Sequence, residues 1–216
     1  MSEMHTEQIQ EEAAQLAETE LDLHAKVRDL TLRAMRDRAV SVGELGSVLR
    51  AVVQGLSLGF AKRAGEIKEA STQALAGLDE AIKKSAEATR LAAQQLAAQG
   101  KEFRDADLKP TLDELKQLEE SFLSTVSQVA DKAGGRIKEE WTSQVSHARR
   151  MGTDTGRLVA DTMGEFGQRL GASAKQGAQS GAGAAVEVKK RLTLLASGIL
   201  AGMADALHEK ASGPRK

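Results

Sequence analysis

The chain has 216 residues and a net charge of −1, and aromatic residues make up only 2% of it. Large aromatic side chains supply much of the buried area in an ordinary core, so this composition argues against an ordinary compact globule. Cysteine is absent, which excludes disulfides and thiolate metal sites. The near-neutral charge predicts neither nucleic-acid nor polyanion binding. With only two prolines, little interrupts a helix, and the chain is expected to be all-α.

Residues 1–40 predict an acidic amphipathic helix, with nine acidic and five basic side chains. Apolar residues recur at a spacing of three or four along one face of it. Glu20 interrupts this apolar stripe. The start of the chain is acidic and polar, which is not typical of a secretory signal.

Residues 41–100 predict one long amphipathic helix, because apolar side chains from Phe60 to Leu96 recur with the period of an α-helix. Four glycines are expected to bend or split this helix: Gly55, Gly59, Gly65 and Gly77. Residues 101–150 predict a linker at 101–110 and then a third helix with a break near 134–135, where two glycines adjoin.

Residues 151–216 form a Gly- and Ala-rich region with a basic end, and it is expected to be helical. Pairs of glycines four residues apart predict grooves in which another helix packs closely, and a flexible hinge is the alternative. These predicted helix-packing glycines are Gly152, Gly156, Gly167, Gly171, Gly177, Gly181, Gly198 and Gly202.

A short apolar run at residues 192–204 follows the basic cluster at 189–191. Its length is below the roughly 20 residues that a transmembrane helix needs. The cluster suits an anionic interface beside a buried apolar face, and a buried bundle helix with a charged start fits equally well.

No constellation of residues predicts catalysis. The histidines His5, His24, His147 and His208 are scattered and lack metal-ligand spacing. Phosphate-binding glycine motifs and a nucleophile elbow are absent from the sequence. We therefore expect no enzyme activity, no cofactor, no metal, no small-molecule substrate and no nucleic-acid partner.

The pattern of residues 60–99 and 112–144 resembles the phasins, bacterial proteins that coat polyhydroxyalkanoate granules, and is similar in style to exchangeable apolipoproteins and lipid-droplet proteins. The resemblance implies amphipathic helices that oligomerise and lie on a hydrophobic surface. The expected fold is all-α, with long amphipathic helices in an elongated helical bundle or in antiparallel helical hairpins. The expected location is the cytoplasm, at a granule or membrane surface.

The leading functional hypothesis is a non-enzymatic protein that coats a polyester granule, lipid droplet or membrane, with a homo-oligomer as its assembled form. The alternatives are a soluble helical scaffold that binds another protein and a helical protein that inserts its Gly-rich C-terminal region into a membrane. The residues predicted to anchor the protein to such a surface are Phe60, Ile67, Leu78, Phe122, Trp141, Phe166, Leu192, Leu195 and Ile199. The core residues of a closed helical bundle would show the same sequence pattern.

Overall fold

The protein is all-α, as predicted. A computed structural model describes residues 6–36, 42–65, 67–98, 113–114, 117–174 and 182–212, and these ranges contain no β-strand. Eight helices are bounded within them: α1 (Thr6–Thr19), α2 (Leu23–Arg36), α3 (Val42–Lys62), α4 (Lys68–Ala98), α5 (Leu118–Lys132), α6 (Gly135–Met151), α7 (Asp154–Ala174) and α8 (Ala182–Ser212).

The first predicted helix is divided in two, which corrects the expectation of one helix over residues 1–40. Helix α1 ends at Thr19, one residue before the Glu20 that interrupts the apolar stripe. The Arg63 side chain donates hydrogen bonds of 2.8 Å to the carbonyls of Ala17 and Glu20. A helix end leaves such carbonyls without partners, so this guanidinium stabilises the end of α1.

The second predicted helix is also divided, between α3 and α4, at Gly65. Gly65 has a φ of 97°, a left-handed conformation that side chains disfavour. A third interruption separates α5 from α6 at Gly134–Gly135, where the sequence predicts a break. The predicted linker at 101–110 lies outside the described residues.

Helices α1 and α3 pack through backbone contact. A Cβ atom added at Gly59 would lie 2.1 Å from the carbonyl oxygen of Ala14, and one at Gly55 would lie 2.2 Å from that of Gln10. Helix α3 continues through both glycines, so neither splits it, although the sequence suggested that they bend or split the helix. They form a shallow groove that receives the backbone of α1.

Helices α2 and α4 form a second close pair, in which a Cβ at Gly77 would lie 2.4 Å from the carbonyl oxygen of His24. Helix α8 packs on α4 and α2. Helix α7 packs mainly on α4, and α5 packs on α3. The shared core consists chiefly of Ala, Leu and Val side chains. Four buried threonine hydroxyls donate to carbonyls one turn earlier in the same helix, so they are satisfied locally: Thr31, Thr89, Thr125 and Thr162.

Replacing Gly59 by alanine is expected to lower the free energy of unfolding by about 1–3 kcal/mol, because the added methyl group overlaps the backbone of α1. The matched control is Gly46→Ala, also in α3, where an added Cβ meets nothing within 4 Å. This control is expected to gain about 0.5–1 kcal/mol from helix propensity. Urea unfolding followed by circular dichroism measures both changes, and equal effects at the two glycines would contradict the close packing of α1 on α3.

Candidate interaction surfaces

Imidazole and carboxylate groups are the side chains of this cysteine-free chain that could bind a metal ion. Within the described part of the chain, no group of three or more His, Asp or Glu side chains is arranged to hold a metal ion. The Nε2 atom of His24 lies 3.3 Å from Glu80, and His147 is exposed on α6. His5 lies outside the described residues, as does the side chain of His208.

The predicted surface anchors lie inside the bundle. Seven of them are buried: Phe60, Ile67, Leu78, Phe122, Trp141, Phe166 and Leu192. Leu195 and Ile199 are half-buried and pack against the same core. In this conformation the apolar faces therefore stabilise the bundle, and a surface can reach them only if a helix moves.

Helix α6 lies at the periphery of the bundle. Its apolar stripe is Ile137, Trp141 and Val145, one residue per turn, and these three side chains are buried. The helix contacts α5 extensively but α3 and α4 only sparsely. The other face is exposed and charged, with Arg136, Lys138, Glu139, Arg149 and Arg150 pointing to solvent.

Two open clefts lie beside α6. One, of about 630 Å³, lies between α3 and the α5–α6 turn and includes Leu58, Phe60 and Ile137 in its walls. The other, of about 540 Å³, lies between α4, α5 and α6 and includes Phe122 and Val145. Helix α6 therefore has open clefts beside it, whereas α1 and α3 pack on each other through backbone contact.

Trp141 anchors α6 to the bundle. Its side chain is fully buried and meets Phe60 edge to face, with ring centroids 6.2 Å apart. The indole Nε1, a hydrogen-bond donor, finds no acceptor among the described residues. A buried donor without an acceptor costs about 1–3 kcal/mol, so the anchor of α6 carries a penalty in the closed bundle.

Glycines with left-handed backbone lie at both ends of α6. Gly135 has a φ of 56° and Gly152 a φ of 76°, and an added Cβ at either meets nothing within 4 Å. Such positions combine open space with wide conformational freedom. They are suited to act as hinges on which α6 moves as a unit.

The start of α7, by contrast, is firmly held. The Asp79 carboxylate on α4 accepts hydrogen bonds from the backbone N–H groups of Asp154 (2.9 Å) and Thr155 (3.2 Å) and from the Thr155 hydroxyl (2.6 Å). The Glu119 carboxylate on α5 accepts from the N–H and the hydroxyl of Thr153. Two carboxylates thus satisfy the free donors of a helix N-terminus and its partial positive charge.

Charged side chains near the start of α7 also stabilise its first turn. Hydrogen bonds from Arg157 and then from Lys83 hold the pKa of Asp154 below its usual value. Asp154 therefore stays negatively charged in the first turn of α7, where the helix dipole favours a negative charge. The sequence gives no local sign of the clamp, since Asp79 and Glu119 lie far from residues 153–155 along the chain.

The predicted helix-packing glycines take different places. Gly152 lies between α6 and α7, and a Cβ at Gly156 would overlap the Glu119 carboxylate, so this pair is not a groove for a helix. Gly198 and Gly202 lie on the exposed face of α8, where an added Cβ would meet nothing within 4 Å. Gly167 and Gly171 fall in α7 with undescribed surroundings, and Gly177 and Gly181 lie outside the described residues.

The sequence profile of a family of unknown function, DUF6781, matches residues 1–209. The chain belongs to this family. No curated protein and no solved structure matches it. In this DUF6781 chain, none of the described helices is long and apolar enough to cross a membrane.

Replacing Asp79 by alanine is expected to lower the free energy of unfolding by about 1–3 kcal/mol, because donors in the first turn of α7 lose their acceptor. The matched control is Asp131→Ala, which removes an exposed carboxylate 3.5 Å from Lys138. That change is expected to stay within about 0.5 kcal/mol, as for other surface ion pairs. Chemical denaturation measures both variants, and a cost at Asp79 as small as that at Asp131 would contradict the clamp.

Proposed function

We propose that this chain is a non-enzymatic amphipathic helical protein that associates with a hydrophobic surface, such as a polyester granule, a lipid droplet or a membrane. Helix α6 is the element that docks. The observation that carries the proposal is Trp141, a fully buried anchor whose indole N–H has no acceptor among the described residues.

Ile137, Trp141 and Val145 can be buried in either of two environments, the core of the bundle or a hydrophobic surface. Full burial of a Val, Ile or similar side chain contributes about 1.5–3 kcal/mol, whether the apolar surroundings are a protein core or a hydrophobic surface. Release of α6 also uncovers the face on which it packs, including Phe60. The apolar contribution is therefore close to balanced only if the hydrophobic surface covers that face as well. A tryptophan at an interface keeps its ring in apolar surroundings while its N–H meets water. Because the Trp141 N–H gains a hydrogen-bond partner there, it favours the surface over the closed bundle.

The polar ties of α6 are few and replaceable. Gln144 donates to the Ser71 hydroxyl over 2.8 Å, and the exposed Arg149 pairs with Glu120 at 3.0 Å. Exposed ion pairs contribute little, about 0–1 kcal/mol. These contacts orient α6 on the bundle but add little to the free energy needed to release it.

The charge of α6 indicates which surface suits it. Arg136, Lys138, Arg149 and Arg150 outnumber the two acidic residues of the helix, Glu139 and Glu140. Basic residues beside an apolar stripe favour an interface that carries anionic groups. The resemblance of the chain to phasins in composition and helical period supports the same class of partner.

Trp141 is the only tryptophan, so its fluorescence reports on α6 alone. We expect acyl chains that carry bromine to quench this fluorescence in vesicles with anionic lipid, and less in purely zwitterionic vesicles. A polyester emulsion is expected to co-sediment the protein. Absence of quenching together with absence of co-sedimentation would contradict the proposal.

A locked variant tests whether release of α6 is required. Ser71→Cys with Gln144→Cys places the chain's only two thiols at a contact between α4 and α6, where a short bifunctional reagent joins them. We expect the joined protein to lose quenching and co-sedimentation. The two single-cysteine variants treated with the same reagent are expected to bind as wild type. Unchanged binding of the joined protein would show that α6 does not need to move.

A second candidate function is an oligomeric helical scaffold, which a different observation favours. Helix α8 exposes Leu194, 73% accessible, on a face that no other described helix covers. A leucine exposed on such an uncovered helix face is available to contact another protein. A sedimentation-equilibrium mass equal to one chain would exclude this candidate. The alternative of membrane insertion through the Gly-rich region stays a prediction.

A further inference from the structure

The outward face of α8 forms a single stripe on the described part of the helix. It consists of Arg191, Leu194, Gly198, Gly202 and Asp205, at successive spacings of three, four, four and three. Side chains at this spacing lie on one side of a helix. All five residues are exposed, whereas the opposite side packs on the core.

The stripe places a protruding leucine next to a hollow formed by two glycines. Leu194 stands 73% exposed, and an added Cβ at Gly198 or Gly202 would meet nothing within 4 Å. Glycine weakens a solvent-exposed helix relative to alanine. Two exposed glycines one turn apart on such a face are therefore unfavourable for α8 alone, and they suit the close approach of a second helix.

The stripe is symmetric about its central glycine. Arg191 and Asp205 lie seven residues on either side of Gly198, and Leu194 and Gly202 lie four residues on either side. If a second α8 lay antiparallel across Gly198, each leucine would meet the other copy's glycine, and each Arg191 would approach the other copy's Asp205. A face that complements itself under a two-fold rotation is the requirement for a homodimer.

We infer that the outward face of α8 binds a second copy of this chain, antiparallel, with the two-fold axis at Gly198. Asp205 already contacts Arg36 of its own chain at 3.1 Å, yet its side chain remains 71% exposed. A carboxylate has two oxygens and accepts from more than one guanidinium. The two ends of the interface are thus electrostatically complementary, and its centre is closely packed.

This interface specifies the oligomer of the second candidate function, on which the inference rests, and it uses no residue of α6. Surface association through Trp141 and dimerisation through α8 can therefore succeed or fail separately. The experiments below distinguish them.

A symmetric crosslink is the most direct test, because the chain has no cysteine of its own. On the two-fold axis, the thiols of two Gly198→Cys chains face each other, and we expect mild oxidation to give a covalent dimer. The matched control is Gly164→Cys, another exposed helical glycine with nothing within 4 Å, on α7. This control is expected to remain monomeric on denaturing gels. Equal crosslinking at both sites, or none at Gly198, would overturn the inference.

Point variants test the packing of Leu194 against Gly202. We expect Leu194→Glu and Gly202→Leu each to raise the dimer dissociation constant about tenfold or more, as for loss of a central apolar anchor. Leu21→Glu is the control, since Leu21 is 84% exposed but lies between α1 and α2. It is expected to leave the dissociation constant unchanged.

Helicity, vesicle binding and molecular mass of the same proteins provide further tests. All of these variants are expected to keep wild-type helicity and vesicle binding, because the altered side chains are exposed. A wild-type mass of one 23.0 kDa chain would overturn the inference together with the scaffold candidate. A dimer that Leu194→Glu leaves intact would overturn the α8 interface alone.

Discussion

The structure depends on one constraint: helices with narrow, alanine-rich apolar stripes bury enough surface only if they approach closely. In the described residues the constraint is met by glycine. Gly55 and Gly59 bring α3 onto the backbone of α1, and Gly77 does the same for α4 and α2. Close backbone approach lets small side chains make dispersion contacts that would otherwise require large ones. The scarcity of aromatic residues is therefore compatible with a real core.

The same constraint explains why some helices of the bundle pack more closely than others. The four N-terminal helices pair through backbone contact, whereas α6 lacks such glycine contacts and relies on Trp141. Clefts lie on both sides of α6, and the start of α7 beyond it is clamped by Asp79 and Glu119. Weakly packed elements bounded by firm ones are those that open locally. Surface association and an intact fold are thus compatible in one molecule.

Helix type and the main breaks could be predicted from the sequence, because the apolar period and the adjoining glycines at 134–135 are local signals. The divisions at Glu20 and Gly65 follow from the same kind of signal, an interrupted stripe and a glycine, although the sequence suggested longer helices. The roles of individual glycines could not be assigned. Gly55 and Gly59 have the spacing of Gly198 and Gly202, yet the first pair packs on α1 and the second faces open space.

The clamp on α7 could not be predicted, since its carboxylates come from α4 and α5 and no local pattern connects them to residue 154. Nor does sequence distinguish an apolar anchor that faces a core from one that faces a surface, as Phe60 and Trp141 illustrate. Both environments select the same side chains at the same spacing.

The central claim is that α6 opens from a bundle that otherwise stays closed. Native-state amide hydrogen exchange across a series of low denaturant concentrations measures this directly. The account predicts that the amides of Gly135–Met151 exchange through an opening of lower free energy and smaller denaturant dependence than the amides of α1 and α3. Exchange of all these helices through one common opening, at the free energy of global unfolding, would contradict it.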